Sequence, residues 1–118
     1  MSDQIEAEIQ AKGLTAARVT PAQIEAAIAM EYSFTAEDGA TRSGQKIHES
    51  LRLLTICVLV LRNGFTVTGE SACASQENFD AELGRKIARA NAVNKIWPLE
   101  GYLLKQTLFT ERTVGHGI

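Results

Sequence analysis

Residues 53–74 read LLTICVLVLRNGFTVTGESACA. Two strand-forming runs flank Asn63-Gly64, the dipeptide that most readily takes the two positive φ angles of a type I′ turn. A two-residue loop there sets Arg62 opposite Phe65, Val60 opposite Val67, Val58 opposite Gly69 and Cys57 opposite Glu70. Alternation then puts Leu54, Ile56, Val58, Val60, Phe65 and Val67 on one face, which is the expected core face. The other face carries Thr55, Cys57, Leu59, Leu61, Thr66, Thr68 and Glu70. It is apolar on the first strand and polar on the second. A strand apolar on both faces is usually covered on both. A helix is expected on the core face, and a second subunit over Leu59 and Leu61.

The helix follows directly. Ser75 is expected to cap a long helix over 76–97, with Gln76, Glu77 and Asp80 near its positive N-terminal end. Phe79, Leu83, Ile87, Ala90, Val93 and Trp97 recur three or four apart and form its expected core stripe. Pro98 either kinks this helix or opens a second one at its first position. Leu99, Tyr102, Leu103 and Gln106 continue a helical surface, whereas the pattern lapses from Phe109 onward.

Upstream of the hairpin, QIEAEIQAK (4–12) places Ile5 and Ile9 on one stripe, and Gly13 is the stop signal. Thr20-Pro21-Ala22-Gln23 reads as a capping box with proline in the first turn. It opens a helix expected to end near Glu31. Tyr32 to Thr35 alternates as a short edge strand. Residues 36–50, with Asp38-Gly39 and Ser43-Gly44, read as a long surface loop with room for a ragged hairpin. The fold class is therefore α+β: an antiparallel sheet centred on the 53–73 hairpin, packed by the 76–97 helix and N-terminal helices. One domain is expected over 1–118, with 1–34 as N-terminal helices and edge strand, 36–50 as loop and 53–108 as core.

The 118 residues are 45% hydrophobic and 22% charged, ordinary values for a folded chain. A net charge of −2 gives no cationic surplus, which argues against duplex nucleic acid as a partner. The apolar run 56–61 is too short to span a bilayer, and the N-terminus lacks the segments of a signal peptide, so a cytoplasmic location is expected. Cys57 and Cys73 fall on opposite hairpin faces in the register above and are expected to be unbridged. Two cysteines and two histidines are too few for a zinc site. His48 and His116 lie in a polar loop and a tail, away from any nucleophile. Neither a Walker loop nor a Rossmann fingerprint is present. The chain reads as a non-enzyme that uses no cofactor or metal.

The remaining polar feature is the helix face bearing Arg85, Lys86, Arg89, Asn91, Asn94 and Lys95, with Lys105 beyond the proline. A solvated face is the default. The alternative is a cationic, amide-bearing surface for phosphates and base edges. Gly84 marks a place where another element or a ligand packs closely.

The pieces NGFTVTGES, ENFD, LGRKIA and NKIWPLEGYLL closely resemble a small tailed-phage protein family known by two podophage open reading frames, and AKGLTAARVTPAQIEA resembles its N-terminal part. Residues 36–50 have no counterpart in that resemblance. The family label carries no activity. The capped helix after an Asn-Gly hairpin is also similar to the first-described class of Thoeris anti-defence proteins. These are phage sponges that sequester cyclic ADP-ribose isomers, and in some cases cyclic oligonucleotides, at interfaces between subunits. That resemblance implies a cyclic nucleotide ligand and a homo-oligomer built from dimers. The residues expected at the ligand are Phe79, Arg85, Arg89, Asn91 and Lys105. The alternatives are a phage protein that binds and inhibits a host protein, and a structural accessory without a ligand.

Overall fold

The computed structural model describes residues 3–14 and 16–115. The order is α1 (Asp3–Ala11), α2 (Pro21–Ala26), β1 (Ile28–Thr35), α3 (Ala36–Thr41), β2 (Leu54–Leu61), β3 (Thr66–Ala72), α4 (Ala81–Asn94) and α5 (Ile96–Gly115). Short 3₁₀ turns at Glu49–Leu53 and Gln76–Asn78 precede β2 and α4. The class is α+β, with one antiparallel sheet of order β1-β2-β3. The chain separates into two compact units, one of residues 28–95 and one of residues up to 27 with those from 96 onward.

In the 28–95 unit the hairpin forms where expected but in a different register. Leu61 N–H donates to the Phe65 carbonyl (2.8 Å) and Gly64 N–H donates to the Leu61 carbonyl (2.8 Å). The loop therefore has three residues, Arg62-Asn63-Gly64. Only Gly64 takes a positive φ (+89°), and no non-glycine residue described does so. Asn63 instead accepts the Phe65 N–H through Oδ1 at 2.9 Å. A type I turn closed by a left-handed glycine meets the same Asn-Gly dipeptide as a type I′ turn, one residue longer. That one residue moves every pairing: Val60 faces Thr66, Leu59 faces Val67 and Cys57 faces Gly69.

A one-residue slip exchanges the faces of a strand. Thr55, Cys57, Leu59 and Leu61 are the buried set, with Leu59 fully enclosed, while Leu54, Ile56, Val58 and Val60 are half-buried. Enclosing a leucine of this kind contributes about 1.5–3 kcal/mol. The face expected to meet a second subunit is thus the core, and Leu59 and Leu61 are not available for one. Phe65, expected in the core, is 56% exposed at the loop.

The packing face of α4 is corrected in the same way. Gly84, Ala88 and Ala92 are buried, whereas Leu83 and Ile87 are exposed. The small residues let the helix backbone descend onto β3. A Cβ on Gly69 would overlap the Ala88 carbonyl oxygen and the Ala92 amide nitrogen. Small residues meet from both sides, Gly69 on the strand and Gly84, Ala88 and Ala92 on the helix, an approach that a stripe of large residues on α4 would prevent. The long helix also starts later than expected. Asp80, not Ser75, caps it by accepting the Leu83 N–H (3.0 Å). It stops at Asn94, and α5 begins at Ile96 with Pro98 in its first turn, where proline removes no needed donor.

β1 is longer than expected because Ile28, Met30, Tyr32 and Phe34 already alternate, and α2 ends at Ala26. Strand β1 pairs Met30 with Val60, Tyr32 with Val58 and Phe34 with Ile56. Residues 36–50 hold a short helix instead of only loop or hairpin. Thr35 and Asp38 form a reciprocal capping box at the start of α3. Both cysteines are free thiols. Cys57 faces Gly69, and the Cys73 N–H donates to the Leu53 carbonyl, which places the two on the same face but several residues apart along the ladder.

In the other unit the Thr20–Gln23 capping box is present in both directions, at 3.0 and 3.2 Å, and α2 buries Ile24. Gly13, with φ +69°, ends α1 as expected. Glu6 accepts two 2.8 Å hydrogen bonds from the Arg18 guanidinium. These and the Gln10 amide hold its carboxyl down to about 2. Helix α5 buries Ile96 and continues through the 109–115 stretch expected to be loose. Among the described residues no helix is long and apolar enough to cross a membrane.

Candidate functional site

Within the 28–95 unit one depression of about 140 Å³ is lined by Ser33, Phe34, Thr35, Asp38, Thr55, Phe79, Ala81 and Arg85. Two helix caps build it. Thr35 ends β1 and caps α3, its Oγ1 accepting the Asp38 N–H at 3.4 Å while Asp38 Oδ2 accepts the Thr35 N–H at 3.0 Å. Asp80 starts α4, so Ala81 and Arg85, one turn apart, line the same side. Phe79, the last residue before that cap, closes the wall. The floor is Thr55, reached because Gly84 has no side chain: a Cβ there would stand 2.9 Å from Thr55 Oγ1 and 3.9 Å from the Phe79 ring.

The arrangement offers an aromatic ring, a guanidinium and the hydroxyls of Ser33, Thr35 and Thr55. Arg85 makes no ion pair or side-chain hydrogen bond among the described residues, whereas the neighbouring Asp38 carboxylate is engaged at the α3 cap. The first turn of α4 adds the partial positive charge of a helix N-terminus. Such a set suits a small anionic group lying against a flat ring. The nearest thiol, Cys57, is buried in the sheet, and burial pushes its pKa up despite a hydrogen bond with Ser33. A thiol so held is a poor nucleophile.

Of the five residues expected at a ligand, the structure brings two together, Phe79 and Arg85. Arg89 donates from Nε to Glu31 Oε1 at 3.1 Å, an ion pair between α4 and β1. Asn91 donates from Nδ2 to the Glu70 carbonyl at 2.8 Å and pins α4 to β3. Lys105 lies exposed on α5, in the other unit. The lining residues that sequence reasoning missed are Ser33, Phe34, Thr35, Asp38, Thr55 and Ala81. Thr35-Ala36-Glu37-Asp38 carries the spacing of a capping box, which marks a helix start inside the stretch read as loop. His48 Nδ1 accepts the Ser50 N–H at 3.1 Å, a local capping role, and His116 lies outside the described residues. Among the described residues no three His, Cys, Asp or Glu side chains gather in a way that would hold a metal ion.

No curated protein and no solved structure matches this chain. A family model does, over residues 19–108, a span that includes every residue lining the depression and leaves out α1 and Arg18. With most of its length matched, the chain belongs to the Phage protein (N4 Gp49/phage Sf6 gene 66) family.

Proposed function

We propose that this phage-family protein is a non-enzymatic binder that holds a small phosphate-bearing nucleotide at the Phe79–Arg85 depression. Cyclic nucleotide immune signals, cyclic ADP-ribose isomers foremost, are the ligand class, and sequestering them would blunt a bacterial defence. The observation that supports this reading is the guanidinium of Arg85, without a protein partner among the described residues, beside an aromatic ring over a hydroxyl-lined floor. A depression of about 140 Å³ takes a phosphoryl group and part of a sugar, leaving the base over the surrounding surface. Binding without turnover suits a site whose titratable groups are one engaged carboxylate and one arginine.

Calorimetry with cyclic ADP-ribose isomers and small cyclic oligonucleotides tests this. Charge-assisted contacts contribute about 1.5–3 kcal/mol, so Arg85→Gln is expected to weaken binding about tenfold or more. Lys105→Gln serves as the control and leaves affinity unchanged. Wild-type protein that binds neither ligand class sinks the reading. A second reading, inhibition of a host protein, draws on a different observation: Leu83 and Ile87 are 53% and 43% exposed on the outer side of α4.

A further inference from the structure

We propose that Thr55 is the specificity-determining residue of the depression. Its hydroxyl donates to an acceptor oxygen of whatever reaches the floor, and a ligand that presents no acceptor there is turned away. The inference rests on the binding reading above and adds the atom that selects.

Thr55 is 3% exposed, and among the described residues it is the one polar residue in the core. Strand β2 is the middle strand, so Thr55 is paired on both sides, to Thr35 of β1 and to Ser71 of β3. Opposed residues of an antiparallel pair share a face. These three hydroxyl-bearing residues therefore form a row across the sheet, where the apolar run Leu61, Leu59 and Cys57 gives way to polar side chains. The position is rigid. Both flanking strands hold its backbone, and Gly84 packs over its side chain so closely that a Cβ there would stand 2.9 Å from Thr55 Oγ1 and 3.7 Å from Thr55 Cβ.

The fold itself does not use this hydroxyl. Among the described residues every side-chain nitrogen or oxygen that is sealed from solvent has a hydrogen-bond partner. Thr55 Oγ1 has no such partner among them, so it is not sealed, and the space it opens on is the depression it lines. A buried hydroxyl without a partner destabilises a fold. Valine has the same shape and suits a strand at least as well. The middle strand thus carries, at a cost in stability, a polar atom aimed into the depression.

The neighbouring groups fix what that atom reads. Thr35 Oγ1 accepts the Asp38 N–H at 3.4 Å, which leaves its own O–H to donate, and the Arg85 guanidinium is donor only. With donors on the walls, an acceptor-only group is the matching occupant, and the Thr55 O–H adds a donor from the floor. A phosphoryl group has oxygens for all three. A ligand that meets the floor with a methyl or methylene group leaves the hydroxyl buried and unpaired. Sites built around such a hydrogen bond reject the analogue lacking it far more strongly than an apolar pocket rejects extra bulk.

Two substitutions separate the hydroxyl from the shape. Thr55→Val keeps the volume and removes the O–H; Thr55→Ser keeps the O–H and removes the methyl. In urea unfolding without ligand, Thr55→Val is expected to hold or raise the wild-type midpoint and Thr55→Ser to lower it. Titration with cyclic ADP-ribose by calorimetry, and with inorganic phosphate by NMR, reverses the order. Thr55→Val is expected to bind about tenfold or more weakly, a loss of about 1.4 kcal/mol, whereas Thr55→Ser stays within about threefold of wild type. A residue with a structural role alone would move stability and binding in the same direction. A lowered midpoint for Thr55→Val would show the hydroxyl engaged inside the fold and overturn the proposal. Equal binding by Thr55→Val and wild type also overturns it, while leaving the binding reading standing. Wild-type protein that binds phosphate but no cyclic nucleotide sinks the nucleotide reading, and the phosphate titration then decides the role of Thr55. Wild-type protein that binds neither removes both.

Discussion

Replacing Gly69 with alanine tests the packing on which the 28–95 unit depends. The added Cβ would overlap the Ala88 carbonyl oxygen and the Ala92 amide nitrogen and lie 2.8 Å from the Asn91 carbonyl carbon. All three are backbone atoms of α4, so no side chain can swing aside and the helix itself must lift. Overpacking a closed core costs about 1–3 kcal/mol when side chains can adjust. Here the upper end is expected, about 3 kcal/mol, because lifting α4 also lengthens the 2.8 Å Asn91–Glu70 hydrogen bond. For a domain of this size that is a fall of roughly 10–20 °C in melting temperature. Urea unfolding followed by circular dichroism gives the loss as a shift in midpoint at unchanged slope. Gly101→Ala is the matched control. A Cβ at Gly101 meets nothing, and alanine in a helix gains about 0.5–1 kcal/mol over glycine. Equal stability for Gly69→Ala and wild type would refute the close approach of α4 to β3.

Two further outcomes follow from local geometry. Gly64→Ala is expected to lose about 1–2 kcal/mol through its φ of +89° alone, since the added methyl has open space. Asn63→Ala loses only the hydrogen bond to Phe65, about 1 kcal/mol or less; equal, larger losses at both positions would restore the two-residue loop. In the N-terminal segment, the Glu6 carboxyl is lowered from 4.5 to about 2, chiefly by its hydrogen bonds to Arg18. The folded value is the lower one, so the contribution of this pair is present above about pH 4.5 and lost as pH falls toward 2. An NMR titration of Glu6 in Arg18→Gln is expected to move its midpoint up toward 4.5, and an unmoved midpoint would show that Arg18 is not the cause.

Short-range signals in this chain were sufficient by themselves. Thr20 and Gln23 satisfy each other's backbone N–H groups, Gly13 supplies the positive φ that ends α1, and Asn63-Gly64 marks where the hairpin reverses. Each depends on atoms a few residues apart, so the neighbouring letters contain the whole cause. The α+β class was legible for the same reason: strand alternation and helix periodicity are local patterns. Membership of the site was legible only in part. Phe79 and Arg85 stand out in the sequence, but the strand and α3 residues that face them do not.

Tertiary structure decided the register, the buried face and the engagement of each polar side chain. Strand β2 is apolar at odd and even positions alike, so its sequence holds no parity, and a loop of two or three residues selects the face. The stripe Gly84, Ala88 and Ala92 has little hydrophobicity to announce itself. Its value is the space it leaves for β3, and that appears only when the opposing backbone is in place. Arg89 and Asn91 read as ligand donors until Glu31 and the Glu70 carbonyl arrive from strands 58 and 21 residues away in the chain. A cation or an amide is committed by whichever partner the fold brings within about 3 Å, and distance in space is what a linear sequence does not contain.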